Sequence, residues 1–255
     1  MSALTTLLDE GIVIVQSLLT PIEVQMLRAC MDALRTEGVP TTQQVLYTHE
    51  LPPSPRPSFE RLFEQWFNPH SQDGQGSTRL LLDRLGGRLA DKLASGLFAF
   101  QDVLLSKQAE HAALPWHQDQ PFWPIETPWA AVVWCALDPI ERERGGVEFA
   151  VGSHHRLGPA IDLHTGAPQN AASTMPFEST GFEICCPVLA PGDVVVFHGR
   201  TWHRSGINHV GLPRRAWIST WLPREARWNP AQAPRHSLAR SAVAGTFVHH
   251  TRRSS

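Results

Sequence analysis

The stretch Trp116-His117-Gln118-Asp119-Gln120 holds an imidazole and a carboxylate two residues apart. Residues at that spacing in an extended segment point to the same face, so both side chains can reach one point. A site with two His and one carboxylate leaves its other coordination positions open on one side, which suits non-haem Fe(II). His117 and Asp119 are therefore candidate metal ligands, and the third ligand has to come from elsewhere in the chain.

Three histidines farther along the chain compete for the third ligand position: His198, His203 and His209. His198 ends an apolar run that follows Pro191-Gly192-Asp193, and His203 comes shortly afterwards. His203 lies 86 residues after His117. The residue types alone leave the choice among the three open.

An arginine follows these histidines at a position that suits anion binding. Arg214 comes 11 residues after His203, at the start of a run that is typical of a strand. A guanidinium inside a barrel is unfavourable unless it meets an anion, and it binds a carboxylate through two parallel hydrogen bonds. The His-x-Asp segment, a distant His and this Arg together indicate iron with a dicarboxylate cosubstrate. Arg215 is the alternative, because neighbouring strand residues face opposite sides.

The elements that must position these residues are mostly short strands. Apolar and β-branched runs separated by Gly, Pro or polar clusters predict strands at 98–105, 130–136, 146–151, 183–188, 193–198 and 215–222. Such a series predicts a β sandwich or barrel with helices packed outside it.

The first 97 residues carry fewer strand signals and two helix signals. The run 11–15 predicts a strand, and Thr20-Pro21-Ile22-Glu23 predicts a helix that begins with a capping box and ends at Gly38. The stretch 79–94 predicts an amphipathic helix, although Gly86-Gly87 weakens it. Loops are predicted at 48–57, 68–77 and 157–181, the last of them long enough to suggest a lid or disorder.

Composition excludes several classes of protein. The chain has 255 residues, 42% of them hydrophobic and 18% charged, which excludes a disordered or fibrous chain. A net charge of −2 gives no reason to expect nucleic acid or an anionic membrane as partner. No apolar run reaches the length of a membrane span, and the first ten residues lack the pattern of a signal peptide. Four cysteines without a C-x-x-C pair favour a reducing, cytoplasmic location.

The segment after Pro223 is basic, with six Arg against one Glu, a local charge of +5. Its composition favours a solvated or partly disordered terminus. The alternative is a segment that closes over an anionic substrate.

The order of these motifs resembles the phytanoyl-CoA dioxygenase family of Fe(II)/2-oxoglutarate-dependent oxygenases over nearly the whole chain. Ser106-Lys107 before the His-x-Asp stretch is similar to the family's metal-binding segment. The stretch 145–154 is similar to its G-x-x-x-x-x-P-G-S-H pattern, with Val151 in place of the proline. His203-Arg204-Ser205-Gly206-Ile207-Asn208 resembles its H-x-S-x-x-N signature, and Arg214 falls at the usual offset.

The resemblance implies a mainly β fold with flanking helices around a double-stranded β-helix of the jelly-roll or cupin type. One domain would cover residues 1–255, with helical and strand support in 1–97, the jelly-roll core in 98–223 and a tail in 224–255.

The resemblance also implies roles for individual residues. His117, Asp119 and His203 would bind Fe(II). Arg214 would bind the distal carboxylate of 2-oxoglutarate. The cosubstrate pocket would further include a hydroxyl partner and two lining residues, namely Ser205, Lys107 and Trp134. A departure from the family pattern is Gln120, which stands where some relatives place a hydroxyl that contacts 2-oxoglutarate.

The implied reaction is O2-dependent hydroxylation of an unactivated C–H bond, or a related oxidation, with release of succinate and CO2. Asp119 fills the carboxylate position, so no ligand site is left for a halide and halogenation is not expected. Desaturation, epoxidation and ring closure stay open. A small apolar or ring-bearing metabolite, in the context of secondary metabolism, is predicted from the aromatic residues Trp116, Phe122, Trp123, Trp129 and Trp202.

Two other functions are compatible with the residue types. Two His and an Asp can hold zinc with an activated water, as in a hydrolase or isomerase. A barrel that binds a small molecule without catalysis is the second. The zinc alternative leaves Arg214 without an anion. The sequence does not indicate an oligomeric state.

Overall fold

Two antiparallel sheets make up most of the molecule. The computed structural model describes residues 2–37, 63–69, 76–161, 177–234 and 236–249. The strands of the two sheets are β1 (Ile12–Val15), β2 (Glu64–Phe67), β3 (Phe98–Lys107), β4 (Leu114–His117), β6 (Ala131–Ala136), β7 (Val147–Ala150), β8 (Ile184–Cys185), β9 (Val194–His198), β10 (His203–Ser205) and β11 (Arg214–Leu222). A small separate pair joins β5 (Ile125–Glu126) to β12 (Arg227–Trp228).

The strand order is that of a jelly roll. The larger sheet has the order β1-β9-β6-β11-β3-β2, and the smaller has the order β4-β10-β7-β8. The sheets face each other across an apolar interior, where the rings of Phe149 on β7 and Phe197 on β9 lie 5.1 Å apart. The predicted fold class, mainly β with flanking helices around a jelly-roll core, is confirmed.

The larger sheet separates two apolar clusters, because its strands alternate in the direction of their side chains. On β11, Ala216 and Ile218 belong to the cluster between the sheets, whereas Trp217 and Trp221 belong to the cluster on the other side. This outer cluster also contains the apolar faces of the helices. The helices therefore cover the outer face of the larger sheet and leave its inner face to line the barrel.

The helices are α1 (Ala3–Glu10), α2 (Pro21–Thr36) and α3 (Ser77–Lys92). The capping box predicted for α2 is present: the Thr20 hydroxyl accepts the Glu23 amide hydrogen at 3.4 Å, and the Glu23 carboxylate accepts the Thr20 amide hydrogen at 2.8 Å. The predicted terminus at Gly38 lies outside the described residues. In α3, a Cβ at Gly86 would come within 3.0 Å of the Trp221 ring, so close packing on the sheet explains the glycine.

Several short elements were not predicted. The helix α1 and the strands β2, β5, β10 and β12 span two to eight residues each, too few for a hydrophobic period to stand out. The strand predicted at 183–188 is reduced to Ile184–Cys185. The predicted loop 48–57 lies outside the described residues, as do most of 68–77 and the middle of 157–181.

The basic tail folds onto the barrel where the structure describes it. Ala226 and Val248 are fully buried, and the Trp228 ring packs edge-on against Phe100 at 6.2 Å. The other described side chains of residues 224–234 and 236–249 are exposed or partly exposed, so the expectation of a solvated terminus holds in part, and a few buried apolar residues anchor the tail. Its apolar residues decide the packing, and the positive charges lie around them. Within the described residues, no helix combines the length and the apolar character that a membrane span requires.

One buried ion pair ties α2 to α3. Arg88 donates to both carboxylate oxygens of Glu23, at 2.9 and 2.7 Å, and Glu23 is 1% exposed. Burial alone would raise the pKa of the Glu23 carboxyl, but hydrogen bonds from Arg88 and Thr20 outweigh it and lower that pKa to about 2. The charged carboxylate therefore stabilises the folded chain.

We expect Glu23→Gln to lower the free energy of unfolding by about 1–3 kcal/mol at pH 7, because Arg88 loses its charged partner. A carboxyl with a lowered pKa stabilises fully above its unfolded pKa and loses this contribution progressively as the pH falls from that value through the folded pKa. The difference between wild type and variant should therefore shrink between about pH 5 and pH 2. Urea unfolding followed by circular dichroism measures both.

A control is the exposed pair Arg79–Asp83, whose charged atoms lie 3.5 Å apart. Asp83→Asn should change stability by less than about 0.5 kcal/mol. Equal stability of Glu23→Gln and wild type at pH 7 would contradict the assignment.

Candidate metal centre

Antiparallel pairing of β4 with β10 brings two of the three predicted ligands together. His203 is the register partner of His117, and Asp119 lies two residues after the end of β4. One Asp119 carboxylate oxygen lies 3.8 Å from Nε2 of His117 and 3.7 Å from Nε2 of His203. In the described part of the chain, these three residues are the group of His, Cys, Asp or Glu whose ligand atoms all lie within 4.8 Å of one another.

Both imidazoles are oriented for metal binding by backbone carbonyls. Nδ1 of His117 lies 2.8 Å from the Pro115 carbonyl oxygen, and Nδ1 of His203 lies 3.0 Å from that of Thr201. A carbonyl can only accept, so each Nδ1 carries the proton and each Nε2 keeps its lone pair. This is the usual outer hydrogen bond of a metal-binding histidine.

The candidate ligands lie in a buried environment. His117 is 5% exposed and His203 is 7% exposed. Burial lowers the pKa of His117 to about 3 and that of His203 to about 4, so both imidazoles stay neutral near pH 7. Burial also raises the pKa of Asp119, while the nearby His117 lowers it. Neutral imidazole and carboxylate are the donor types of an Fe(II) site.

The two competing histidines lie elsewhere. His198 pairs with Ala131 of the outer cluster, and its Nδ1 accepts the Arg200 amide hydrogen at 3.0 Å. His209 is on the surface, with its ring nitrogen 3.9 Å from Glu110. Neither imidazole joins the cluster of three.

Two cations lie side by side in the barrel near these ligands. Lys107 on β3 and Arg214 on β11 are register partners, 0% and 2% exposed. The Lys107 ammonium donates to the Ser205 hydroxyl at 3.1 Å. The Arg214 guanidinium donates from Nη1 to the Gly145 carbonyl at 2.6 Å and lies over the Trp134 ring at 5.3 Å. The structure thus brings together all four residues predicted for the cosubstrate pocket.

The charge of this pair is not balanced by the described part of the protein. No carboxylate there forms an ion pair with Lys107 or Arg214, and Nε of Arg214 is buried without a hydrogen-bond partner. Burial, followed by the charge of Arg214, lowers the pKa of Lys107 to about 7. Burial lowers the pKa of Arg214 to about 10. Buried cations without a counter-ion are unfavourable, so the pocket is suited to a small anion with two charges.

The alternative arginine serves the fold. Arg215 points to the outer face of β11, where its guanidinium donates to both carboxylate oxygens of Asp138 at 2.9 and 3.0 Å. Asp138 also accepts from Arg28 of α2 at 3.1 Å. Arg215 therefore ties a helix to the sheet and does not face the barrel interior.

The segment after Asp119 is fixed by contacts that the sequence did not reveal. The Gln120 side chain accepts from Arg200 at 3.1 Å and donates to the Thr127 carbonyl, so it does not replace the hydroxyl contact of some relatives. From the tail, the Gln232 amide donates to the carbonyls of Gln120 and Trp123 at 2.9 and 3.1 Å. The sequence carries no signal for the hydrogen bonds of Gln232 or for the carbonyl of Gly145 that accepts from Arg214, because both contacts depend on the tertiary structure.

The five aromatic residues that predicted a substrate wall belong to three different clusters. Trp116 and Trp202 contact Phe177, whose ring stacks on that of Trp202 at 4.6 Å. Phe122 packs against this cluster and also against the cluster between the sheets. Trp123 lies in the cluster between the sheets, and Trp129 packs against the outer cluster. Their nearness to the ligands in sequence does not make them one pocket wall.

Comparison with solved structures supports the fold. The carbocyclase SnoK from nogalamycin biosynthesis is 21% identical with a TM-score of 0.65, and the alignment covers 89% of this chain and 85% of SnoK. The epimerase SnoN, solved with Fe3+, alpha ketoglutarate and nogalamycin RO, is 24% identical with a TM-score of 0.66, covering 89% and 84%. AviO1 from Streptomyces viridochromogenes Tue57 is 22% identical with a TM-score of 0.62, covering 89% and 96%. Identities of this size establish a shared fold.

A search of curated protein sequences gave no significant match. The model of the phytanoyl-CoA dioxygenase family, in contrast, matches residues 7–216. This range includes the three candidate metal ligands and the four residues predicted for the cosubstrate pocket. The tail that carries Gln232 lies beyond the matched range. The chain therefore belongs to the phytanoyl-CoA dioxygenase family of Fe(II)- and 2-oxoglutarate-dependent enzymes.

Proposed function

We propose that this chain is an oxygenase that oxidises an unactivated C–H bond of a small metabolite, with His117, Asp119 and His203 as the Fe(II) ligands. The observation that carries the proposal is the pair of buried cations, without a counter-ion among the described residues, beside a cluster of two His and one Asp. A zinc hydrolase would use the cluster and leave the cations without an anion. The dianion 2-oxoglutarate both binds a metal held by the cluster and supplies a carboxylate for the cations.

The residues divide the work between binding and orientation. Arg214 binds the distal carboxylate of 2-oxoglutarate, and contacts with the Trp134 ring and the Gly145 carbonyl orient its guanidinium. Lys107 adds a second positive charge and is positioned by Ser205. When bound, Fe(II) with 2-oxoglutarate and O2 supplies the oxidising chemistry, in which one oxygen atom enters the substrate and succinate and CO2 leave.

The burial of the ligands contributes by excluding water and by keeping the imidazoles neutral. Asp119 occupies the third ligand position of the cluster, so the proposed reaction is hydroxylation or a related oxidation rather than halogenation. The similarity to a carbocyclase and an epimerase from nogalamycin biosynthesis makes ring closure and epimerisation alternatives to hydroxylation. The same similarity supports a role in secondary metabolism.

An apolar or ring-bearing substrate is supported by the inner faces of β3 and β11. Between the cations and the far ends of these strands lie Val103, Leu105 and Ile218, all facing the barrel interior. Ile218 is partly exposed, so this apolar surface is open to a ligand. The position of these residues replaces the aromatic wall as the argument for an apolar metabolite.

We expect anaerobic Fe(II) and 2-oxoglutarate to give the wild type a weak visible charge-transfer band. His117→Ala and Asp119→Ala should each lose the band. Each variant should also bind Fe(II) at least tenfold more weakly, because two ligands bind the ion less tightly than three. Titration of the band with Fe(II) measures this. His209→Ala, at an exposed position, is the control and should behave as wild type. A band of unchanged strength in Asp119→Ala would disprove the ligand set.

We expect Arg214→Ala to weaken 2-oxoglutarate binding by roughly 10- to 150-fold, the equivalent of a charge-assisted hydrogen bond of about 1.5–3 kcal/mol, while iron stays bound. Calorimetric titration with 2-oxoglutarate measures the affinity. Arg215→Ala is the matched control: its 2-oxoglutarate affinity should stay within about twofold, and its melting temperature should fall because Asp138 loses a partner. The opposite result would show that the faces of β11 are assigned wrongly.

We expect 2-oxoglutarate to bind less tightly as the pH rises above 7. The pKa of Lys107 is about 7 in the free protein, and the dianion favours the charged amine. Affinity should therefore be full below pH 7 and fall several-fold by about pH 9. Lys107→Met should bind weakly with a flat pH profile, whereas Lys92→Met, at the other lysine of the chain, should follow the wild type. A wild-type profile that is already flat would contradict this role.

A further inference from the structure

Two polar side chains face the barrel interior on neighbouring strands. Gln101 on β3 and Thr220 on β11 are register partners, and Thr220 is also paired with Val132 of β6. Val132 belongs to the apolar cluster between the sheets. Directly opposed residues of antiparallel strands share a face, so the Gln101 amide and the Thr220 hydroxyl both point inward.

Neither of these two polar groups forms a hydrogen bond within the described part of the chain. Gln101 is 9% exposed and Thr220 is 2% exposed. The side-chain polar atoms of Gln101 and Thr220 are not completely buried, so a ligand inside the barrel can reach them. Buried amides and hydroxyls are nearly always hydrogen-bonded, and an exception calls for a ligand or a functional reason.

The pair lies far from the cosubstrate cations, in a row of residues that reaches the candidate metal centre only through the Phe197 ring. One row across the larger sheet runs Phe197, Val132, Thr220, Gln101, and the Phe197 ring lies 4.7 Å from the ring of His203. Strands lie about 4.8 Å apart, so Thr220 is roughly 10 Å across the sheet from Phe197. The cations are six residues away along the strands, roughly 20 Å, which a five-carbon diacid cannot span.

We propose that Gln101 and Thr220 bind a neutral oxygen-bearing group, a ketone or hydroxyl, on the substrate of the oxygenase. This inference rests on the proposed function and names the substrate class of that site. The surface between this pair and the cations consists of Val103, Leu105 and Ile218, so the substrate joins its oxygen-bearing group to an apolar skeleton of one to three rings. The inner faces of β3 and β11 hold no charge except Lys107 and Arg214, so the class excludes charged substrates.

The test uses a matched pair of probes, the ketone 1-tetralone and the hydrocarbon tetralin, which share a carbon skeleton. Equilibrium dialysis against the full chain loaded anaerobically with Fe(II) and 2-oxoglutarate measures both affinities. Thr220→Val removes the hydroxyl at constant shape, and Gln101→Leu removes the amide. Each should weaken 1-tetralone binding about three- to tenfold, the loss of one hydrogen bond, and leave tetralin binding within twofold. Thr220→Ser should restore the affinity for 1-tetralone.

Ser219→Ala is the control on the same strand, because Ser219 faces outward and accepts a hydrogen bond from Trp221 at 2.8 Å. It should bind both probes as the wild type does. Equal weakening of both probes in Thr220→Val and Gln101→Leu, no weakening in either variant, or no saturable binding of 1-tetralone to the wild type would overturn the inference. The charge-transfer band in the same samples keeps the outcomes apart: its absence from the wild type refutes the proposed function, whereas its presence without discrimination between the probes refutes this inference alone.

Discussion

The register between β4 and β10 is the constraint on which the metal centre depends. His117 and His203 are far apart in sequence and meet because the two short strands pair with these residues opposite each other. A shift of one residue would turn one imidazole to the outer face. The carbonyls of Pro115 and Thr201, two residues before each histidine, then fix which ring nitrogen is free. The backbone therefore sets both the position and the tautomer of the ligands.

The same alternation explains why the barrel can hold two cations. Lys107 and Arg214 face inward, and the next residue on β11, Arg215, faces the helices and is neutralised by Asp138. The chain thus pairs the outward charge of Arg215 with Asp138, whereas the two inward cations have no counter-ion in the part of the chain that the structure describes. Such an arrangement lowers stability in the absence of a ligand and favours binding of a small dianion. Function and folding place opposite demands on adjacent residues.

The parts of the structure that sequence reasoning predicted are those with local signals or with a family pattern. The capping box of α2 lies within four consecutive residues, and the long strands carry clear apolar runs. The choice between Arg214 and Arg215 depends on strand phase, which a single sequence does not fix. The predicted aromatic wall came together only in part, because Trp123 and Trp129 are near the candidate ligands in sequence but belong to other clusters. The tail keeps most of its side chains exposed, as its charge indicated, and the buried Ala226 and Val248 anchor it on the barrel.

The hydrogen bonds from Gln232 to the segment after Asp119 impose an order on the maturation of the site. A ribosome adds 112 residues between Asp119 and Gln232, and six of the ten strands of the two sheets are synthesised in that interval. A nascent chain that ends before the tail presents His117 and Asp119 without the contacts that fix their loop. The metal-binding loop therefore reaches its full set of partners late in synthesis, when the rest of the barrel is already made.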